Sequence, residues 1–591
     1  MSQEEKPSTD EGQSQVDANR AMLEDAQQRG VGPTLGVYMR LSGPGWLQSA
    51  ITLGGGSLAG ALFLGVLGGT SMLWLQLVAI IMGVVMLSAI SYVTLSTKER
   101  PFQSINRHIN PVLGWGWLIA TVMANMIWCM PQFSLCFAAL QKNLVGPSID
   151  DDSKMSVSAV LLVVASIVVL LNQRQGLTAK IFDWFLKALV GMIVICFFGV
   201  VIYLGSKGHL NWGQIFAGFI PDFSQWSQPS GDVAKLIAGL PESDEEYWSS
   251  LVVKEQRAVM IGAAATAVGI NMTFLMPYTM LNRGWDKPFR GLSRFDLCTG
   301  MAIPYILVTS CVVIASAASF HAQVDNQFLS DKPAEMMKSP IFNRATGVLE
   351  RHLVKQHGDK IFDNIMNDTS LDTDKKKAEA KNKRIAELSV ALSAAERKLA
   401  ATLVKRDAFQ LSKALAPLLG EKNANLVFGL GVFGMGFSSI IILMLINGFA
   451  FREMFDAPKG IAPFVIGCLI AGIAGSIWPM VWDGPAKLWL AILTSSFGMM
   501  LLPIAYFTFF MMMNSKKILG DEKPTGMRMI VWNVLMIISV VGAVAAAGTA
   551  IMDKASDPKA GKLVMGVAIV YILLVGIGFA FKRPDPETTE K

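Results

Sequence analysis

The residues best suited to chemistry lie inside apolar sequence. Gly54-Gly55-Gly56-Ser57 sets three glycines and a hydroxyl in the middle of one hydrophobic run. Gly269-Ile270-Asn271-Met272-Thr273-Phe274-Leu275-Met276-Pro277-Tyr278 brings hydroxyls, thioethers, an amide, a phenol and a proline into another. These side chains are ligands rather than acids, bases or activated nucleophiles. Unwound backbone beside them would add carbonyl oxygens and N–H groups. The substrate-binding candidates in these two runs are Gly54, Gly55, Gly56, Ser57, Thr273, Met276 and Tyr278. The chain contains no G-x-x-x-x-G-K-[ST] phosphate loop, and the reading expects neither an enzyme nor a cofactor.

What makes these positions candidates is that they break helices. Three consecutive glycines cost about 1 kcal/mol each in helix propensity. Pro277 removes one backbone hydrogen bond and crowds the preceding turn. Unwound backbone at membrane depth survives only where protein encloses it. Gly54, Gly55, Gly56 and Pro277 are therefore the expected helix breaks. Asn125, Asn271 and Gln48 are further apolar-run residues able to hydrogen-bond a solute or a neighbouring helix.

The elements that position these residues follow from composition. The chain has 591 residues, 52% hydrophobic and only 16% charged. That excludes a disordered chain and disfavours a soluble enzyme. The net charge of +6 is too small and scattered for nucleic-acid binding. Runs of about 18 or more apolar residues are long enough to span a bilayer as helices. Twelve spans are expected, near 41–66, 71–96, 112–140, 155–172, 181–205, 256–282, 296–320, 424–450, 461–480, 486–513, 527–550 and 563–582. Loops on one side carry fifteen Lys and Arg, and short loops on the other carry six. By the positive-inside rule the first side is cytoplasmic, as are both termini, in a cell (inner) membrane. All six cysteines fall in apolar runs, so no disulfide framework or zinc module is expected.

Matched breaks in the first and sixth spans divide the chain. Residues 1–37 read as a disordered cytoplasmic tail and 38–205 as a first five-span repeat. Residues 206–255 read as an outer loop with an acidic stretch at Glu242, Asp244, Glu245 and Glu246. Residues 256–512 form a second, inverted repeat containing a polar outer insert, 321–423. Two further spans fill 527–582, and 583–591 is a cytoplasmic tail. In the insert, Ile385, Leu388, Leu392, Leu399 and Leu403 recur at helical spacing and predict an amphipathic helix or hairpin. Paired interruptions in two five-helix halves are the sequence mark of inverted-repeat transporters, whose substrate binds at the breaks.

The chain resembles the Nramp divalent-metal transporters. The likeness runs through GPGWLQSAITLGGGS in span 1, Met276-Pro277-Tyr278 in span 6, Leu418-Leu419-Gly420 and Gly436-Phe437-Ser438-Ser439 around span 8, and Leu502-Pro503 in span 10. The resemblance implies an all-α polytopic membrane protein of LeuT-type fold, with two inverted five-helix repeats plus two extra helices. It also implies metal transport by alternating access around a midplane site. The chain departs from the family where the family binds metal. Gly54, Gly55, Gly56 and Ser57 stand where the family has Asp-Pro-Gly-Asn, and Tyr278 replaces a His. Ser495 falls at a family Gln, and Thr121, Trp128 and Pro131 fall at acidic positions of span 3.

No ionisable residue lies near the middle of any expected span, although intramembrane carboxylates are the usual cation partners. Three readings follow. The first is a secondary-active divalent-metal transporter whose site is rebuilt from Ser57, Met276, Ser495 and backbone carbonyls. In the second, the glycine-rich break and its N–H groups take a small anionic or zwitterionic solute. The third is a non-transporting receptor or scaffold working through its insert. The expected partners are the lipid bilayer and a small solute or ion.

Overall fold

Backbone in hydrocarbon must pair with itself, and long uncharged runs do so as helices. The computed structural model describes residues 8–146, 148–171, 177–366, 374–481, 489–555 and 561–580. Eight helices among them are long and apolar enough to cross a membrane. They are Trp74–Thr97, Pro111–Leu144, Asp151–Leu171, Lys180–Ser206, Lys287–Phe320, Glu421–Met454, Gly526–Met552 and Gly561–Ala580. The ninth span is the shorter helix Ile461–Ser476. The chain is an integral membrane protein, and the described residues contain helices but no strands.

Spans 1, 6 and 10 are not simple rods. Span 1 is two helices, Pro44–Thr52 and Gly55–Gly68, bent by 55°. Leu53 and Gly54 form the break, with Gly54 extended at φ −94° and ψ −178°. Gly55 and Gly56 open the second helix, so only Gly54 of the three glycines is unwound. Span 6 consists of Glu242–Ala267 and Ile270–Asn282, separated by extended backbone at Val268 and Gly269. Pro277 is therefore not the break that its residue type suggested: it lies inside Ile270–Asn282. A proline deletes one N–H, whereas the chain actually unwinds where Gly269 meets Trp128. A Cβ on Gly269 would lie 2.5 Å from the indole. In span 10, Gly498–Asn514 turns by 65° into Lys516–Glu522.

The amino-terminal segment corrects a second expectation. It contains helices Ser8–Arg29 and Val31–Leu41 rather than a disordered tail. Leu23 and Ala26 are fully buried, and Arg20 reaches Asp286 at 2.8 Å. The 583–591 tail lies outside the described residues.

The 206–255 segment is not all loop. It contains helices Trp212–Ala217 and Gly231–Ile237, and its last part is the start of the long first helix of span 6. In the insert the apolar spacing resolves into two helices, Asp374–Ser389 and Ala394–Thr402. A capping box between Ser393 and Glu396 starts the second one. Ile385, Leu392, Leu399 and Leu403 are buried, so the stripe covers a core. One end of the bundle, the basic face, carries the short Lys- and Arg-rich loops, and the other, the insert face, carries the insert.

Candidate functional site

The breaks of spans 1 and 6 face each other, and polar atoms gather between them and spans 3 and 8. The Thr52 hydroxyl points at the Met272 thioether, 3.5 Å away. Gln48 donates through Nε2 to the Met272 carbonyl at 3.1 Å, and its Oε1 is buried without a partner. Ser57 donates to the Thr52 carbonyl at 2.5 Å, across the break. Ser438 and Ser439 of span 8 both donate to the Ala50 carbonyl, at 2.8 and 3.3 Å. Gln132 of span 3 accepts from the Gly55 N–H at 3.0 Å.

An amide chain runs through the same layer. Asn271 donates to Asn125 at 3.1 Å, and Asn125 donates to Asn447 at 2.9 Å. Asn271 Oδ1 in turn accepts the Met272 N–H at 2.9 Å. All three side chains are fully buried, and Asn447 Nδ2 has no partner. Each amide can donate twice and accept, so the chain joins spans 6, 3 and 8 without a charge. The layer thus offers neutral oxygens, amide N–H groups and one thioether. That set can hold a cation through oxygen and sulfur, or replace part of a hydration shell.

Close approach explains the glycine at the break. A Cβ on Gly54 would lie 2.6 Å from Ser439 Oγ and 3.0 Å from the Ile51 carbonyl. On the insert-face side, Trp128 is wedged between spans 6 and 10. An added Cβ on Gly498 would sit only 1.7 Å from its ring.

Below the breaks, charged groups tie the basic face together. Asp296 at the start of span 7 accepts from the Gly43 and Gly45 N–H groups at 3.1 and 2.7 Å, and from the Ser42 hydroxyl. It caps the first helix of span 1 by accepting its leading N–H groups. Lys187 donates to the Ser42 carbonyl at 2.8 Å. Arg283 pairs with Asp183 at 2.7 Å, and Arg100 pairs with Glu453 at 3.1 Å. The Asp296, Lys187 and Arg283 bonds link the basic-face ends of spans 1 and 6 to spans 5 and 7, and Arg100 links the loop after span 2 to span 8.

The structure separates the residues that the sequence grouped. Gly54, Gly55 and Ser57 line the break of span 1, while Gly56 is partly exposed in the first turn beyond it. Thr273 lies beside the break of span 6, where its hydroxyl donates to the Ile270 carbonyl at 2.5 Å and accepts from Trp117 Nε1 at 2.9 Å. Met276 is fully buried but sits seven residues beyond Gly269, about 10 Å down the helix. Tyr278 is farther still: its hydroxyl accepts from the Phe102 N–H at 3.3 Å and meets Glu453 on the basic face. Ser495 belongs to helix Trp489–Asn514, and its side chain lies outside the described residues. Met272, Gln132 and Asn447 join the site without having been singled out. Only the packing of spans 3, 6 and 8 reveals them, since each resembles an ordinary core residue in sequence.

Comparison with known proteins places this arrangement. Solved structures of the Eremococcus coleocola manganese transporter share the fold. A mutant of it with one histidine changed to alanine superposes with a TM-score of 0.59 at 12% identity, covering 92% of this chain and 94% of that one. The complex with an aromatic bis-isothiourea substituted compound gives 0.60 at 13% identity, covering 93% and 94%. A second mutant, with one glutamate changed to alanine, gives 0.59 at 13% identity, covering 92% and 94%. At these identities the likeness establishes a LeuT-type fold. No protein of curated function matches the chain. The profile described as Natural resistance-associated macrophage protein-like matches residues 45–349 and 385–547. The match extends past span 10 and through the insert, except for its middle. The chain belongs to the Nramp family.

Proposed function

We propose that this protein is a secondary-active transporter of a divalent metal cation, working by alternating access in the cell membrane with its basic face in the cytoplasm. The observation that carries the reading is the meeting of two broken spans around neutral oxygens and the Met272 thioether, in a chain of the Nramp family. The Gln48 and Asn125 amides, the Thr52 hydroxyl and backbone carbonyls at the breaks hold the ion, which keeps part of its water shell. A site without a carboxylate binds weakly, because Mg²⁺ and Ca²⁺ normally recruit one and a lone thioether is a modest ligand for softer ions. Transport to the cytoplasm requires the Asp296, Arg283 and Arg100 contacts to part, and the spans then rock around the site.

The anionic-solute reading has less support, because the Gly55 N–H at the start of the half-helix already donates to Gln132. The test is uptake by proteoliposomes containing the full chain. Mn²⁺, Mg²⁺, amino acids and small anions are offered in turn. Saturable Mn²⁺ uptake at high concentration, reduced severalfold by Met272→Ala, is expected. Anion or amino-acid uptake without metal uptake would overturn the reading. Silence across the panel from folded protein would overturn transport itself.

A further inference from the structure

Away from the central site, three side chains on the insert face converge. His352 lies on helix Phe342–His357 and Glu396 on Ala394–Thr402, both in the insert. Asp244 lies on Glu242–Ala267, the first helix of span 6. Their ligand atoms all lie within 4.8 Å of one another. His352 is fully buried, and the Glu396 and Asp244 side chains are only 9% and 16% exposed.

The hydrogen bonding around the ring is unusual for a simple core histidine. Nε2 lies 2.8 Å from Glu396 Oε1 and 3.1 Å from the Gln356 side-chain amide. Nδ1 is buried without a partner. Release of the Nε2 proton to solvent would free that nitrogen's lone pair for a cation held beside Glu396 Oε1. Tyr247 and Trp248 pack against the ring, with centroids 5.0 and 4.8 Å away, and hold Nε2 in place. The Lys355 ammonium lies 3.9 Å from Asp244.

We propose that Asp244, His352 and Glu396 form a divalent transition-metal site that clamps the insert to span 6, distinct from the transport site. Metal–nitrogen and metal–oxygen bonds of about 2.0–2.2 Å at tetrahedral angles put ligand atoms about 3.3–3.6 Å apart. The 2.8 Å His352–Glu396 pair must open slightly to admit the ion, and the ligand atoms of all three residues lie within 4.8 Å of one another. An imidazole with two carboxylates suits Zn²⁺ or Mn²⁺ better than Ca²⁺, which takes oxygen alone. Glu396 Oε2 stays with the Ser393 cap, leaving Oε1 for the ion. Because Asp244 belongs to the broken span, occupancy fixes the upper end of that span against the insert.

The test is calorimetric titration of the purified, chelator-treated full chain with Zn²⁺ and with Mn²⁺, together with Co²⁺ absorption spectra. One equivalent of Zn²⁺ is expected at this site, with visible Co²⁺ bands that disappear in His352→Gln. Asp244→Asn should weaken Zn²⁺ binding at least tenfold. It should leave the metal-free melting temperature near that of the parent, since Asp244 is partly exposed. The Met272→Ala variant should keep this equivalent, which separates the site from the transport site. Equal Zn²⁺ affinity in the parent and in Asp244→Asn, or no Zn²⁺ bound by the parent, would overturn the proposal and leave an ordinary His–Glu pair.

Discussion

Gly54 is the unwound glycine of the span 1 break, which makes it the most direct place to test the central site. Gly54→Asp alone should fold poorly. Its Cβ would sit 2.6 Å from Ser439 Oγ, and overpacking of that kind costs about 1–3 kcal/mol. The double variant Gly54→Asp/Ser439→Ala removes that oxygen. The Ala50 carbonyl still accepts from Ser438 at 2.8 Å, so no acceptor is orphaned. The remaining contact, 3.0 Å to the Ile51 carbonyl, asks for a shift of a few tenths of an ångström. The double variant then places a carboxylate at the break, beside Thr52 and Met272. An added anionic ligand should tighten Mn²⁺ binding by at least tenfold, about 1.4 kcal/mol. Without metal the same carboxylate is buried near no cation, and stability should fall by about 1–3 kcal/mol. Both effects can be read from one pair of experiments: Mn²⁺ titration by calorimetry, and melting curves with and without Mn²⁺. The expected signature is a lowered melting temperature that Mn²⁺ restores, together with the higher affinity. A folded double variant with unchanged Mn²⁺ affinity would refute the assignment of Gly54 to the site.

Three further outcomes follow from contacts on either side of the break. Gly45→Ala should cost more than about 3 kcal/mol, measured as a fall in melting temperature, because its Cβ would lie 2.1 Å from the Asp296 carbonyl; Asp296→Ala should not rescue it, since the obstacle is backbone. Asn125→Leu should destabilise by about 2–4 kcal/mol in denaturant titration, because it strands Asn271 and Asn447 in the interior. His321 Nδ1 donates to the Val66 carbonyl at 3.0 Å and Nε2 accepts the Asp232 N–H at 3.1 Å, so the ring must be neutral. Burial lowers its pKa, with Asp232 opposing and Lys235 assisting. A depressed histidine makes the unfolded chain bind the extra proton, so stability falls as pH drops below about 6.5. His321→Gln should flatten that fall in melting curves taken between neutral pH and pH 5, and an unchanged slope would count against the assignment.

The apolar runs made most of the fold legible. An all-helical bundle of membrane spans follows from length and hydropathy, because a bilayer leaves the backbone no alternative to the helix. The glycine break in span 1 was equally legible, since three glycines in a row weaken a helix wherever they occur. Span 6 was misread for a physical reason. Proline is a conspicuous breaker, but Pro277 sits in the second half of a short helix that tolerates one missing bond, while the chain opens at Gly269, a single glycine beside Trp128. The amino-terminal helices were misread because their burial depends on docking, as with Leu23 and the Arg20–Asp286 pair.

The central site divides the same way. From the sequence alone came the neutrality of the midplane, as a matter of composition, and the presence of Gly54, Gly55 and Ser57 at a break. Only the tertiary structure decided which neutral groups meet there. Asn125, Asn271 and Asn447 are spread over more than three hundred residues yet hydrogen-bond in series. Tyr278, close in sequence to the break, is carried to the basic face by the rise of its helix. His352, Glu396 and Asp244 converge from two separate polar segments whose charged residues look alike in sequence. Hydropathy is a property of each segment, and so it survives in one dimension. Ligand geometry depends on which helix faces touch, and packing alone sets that.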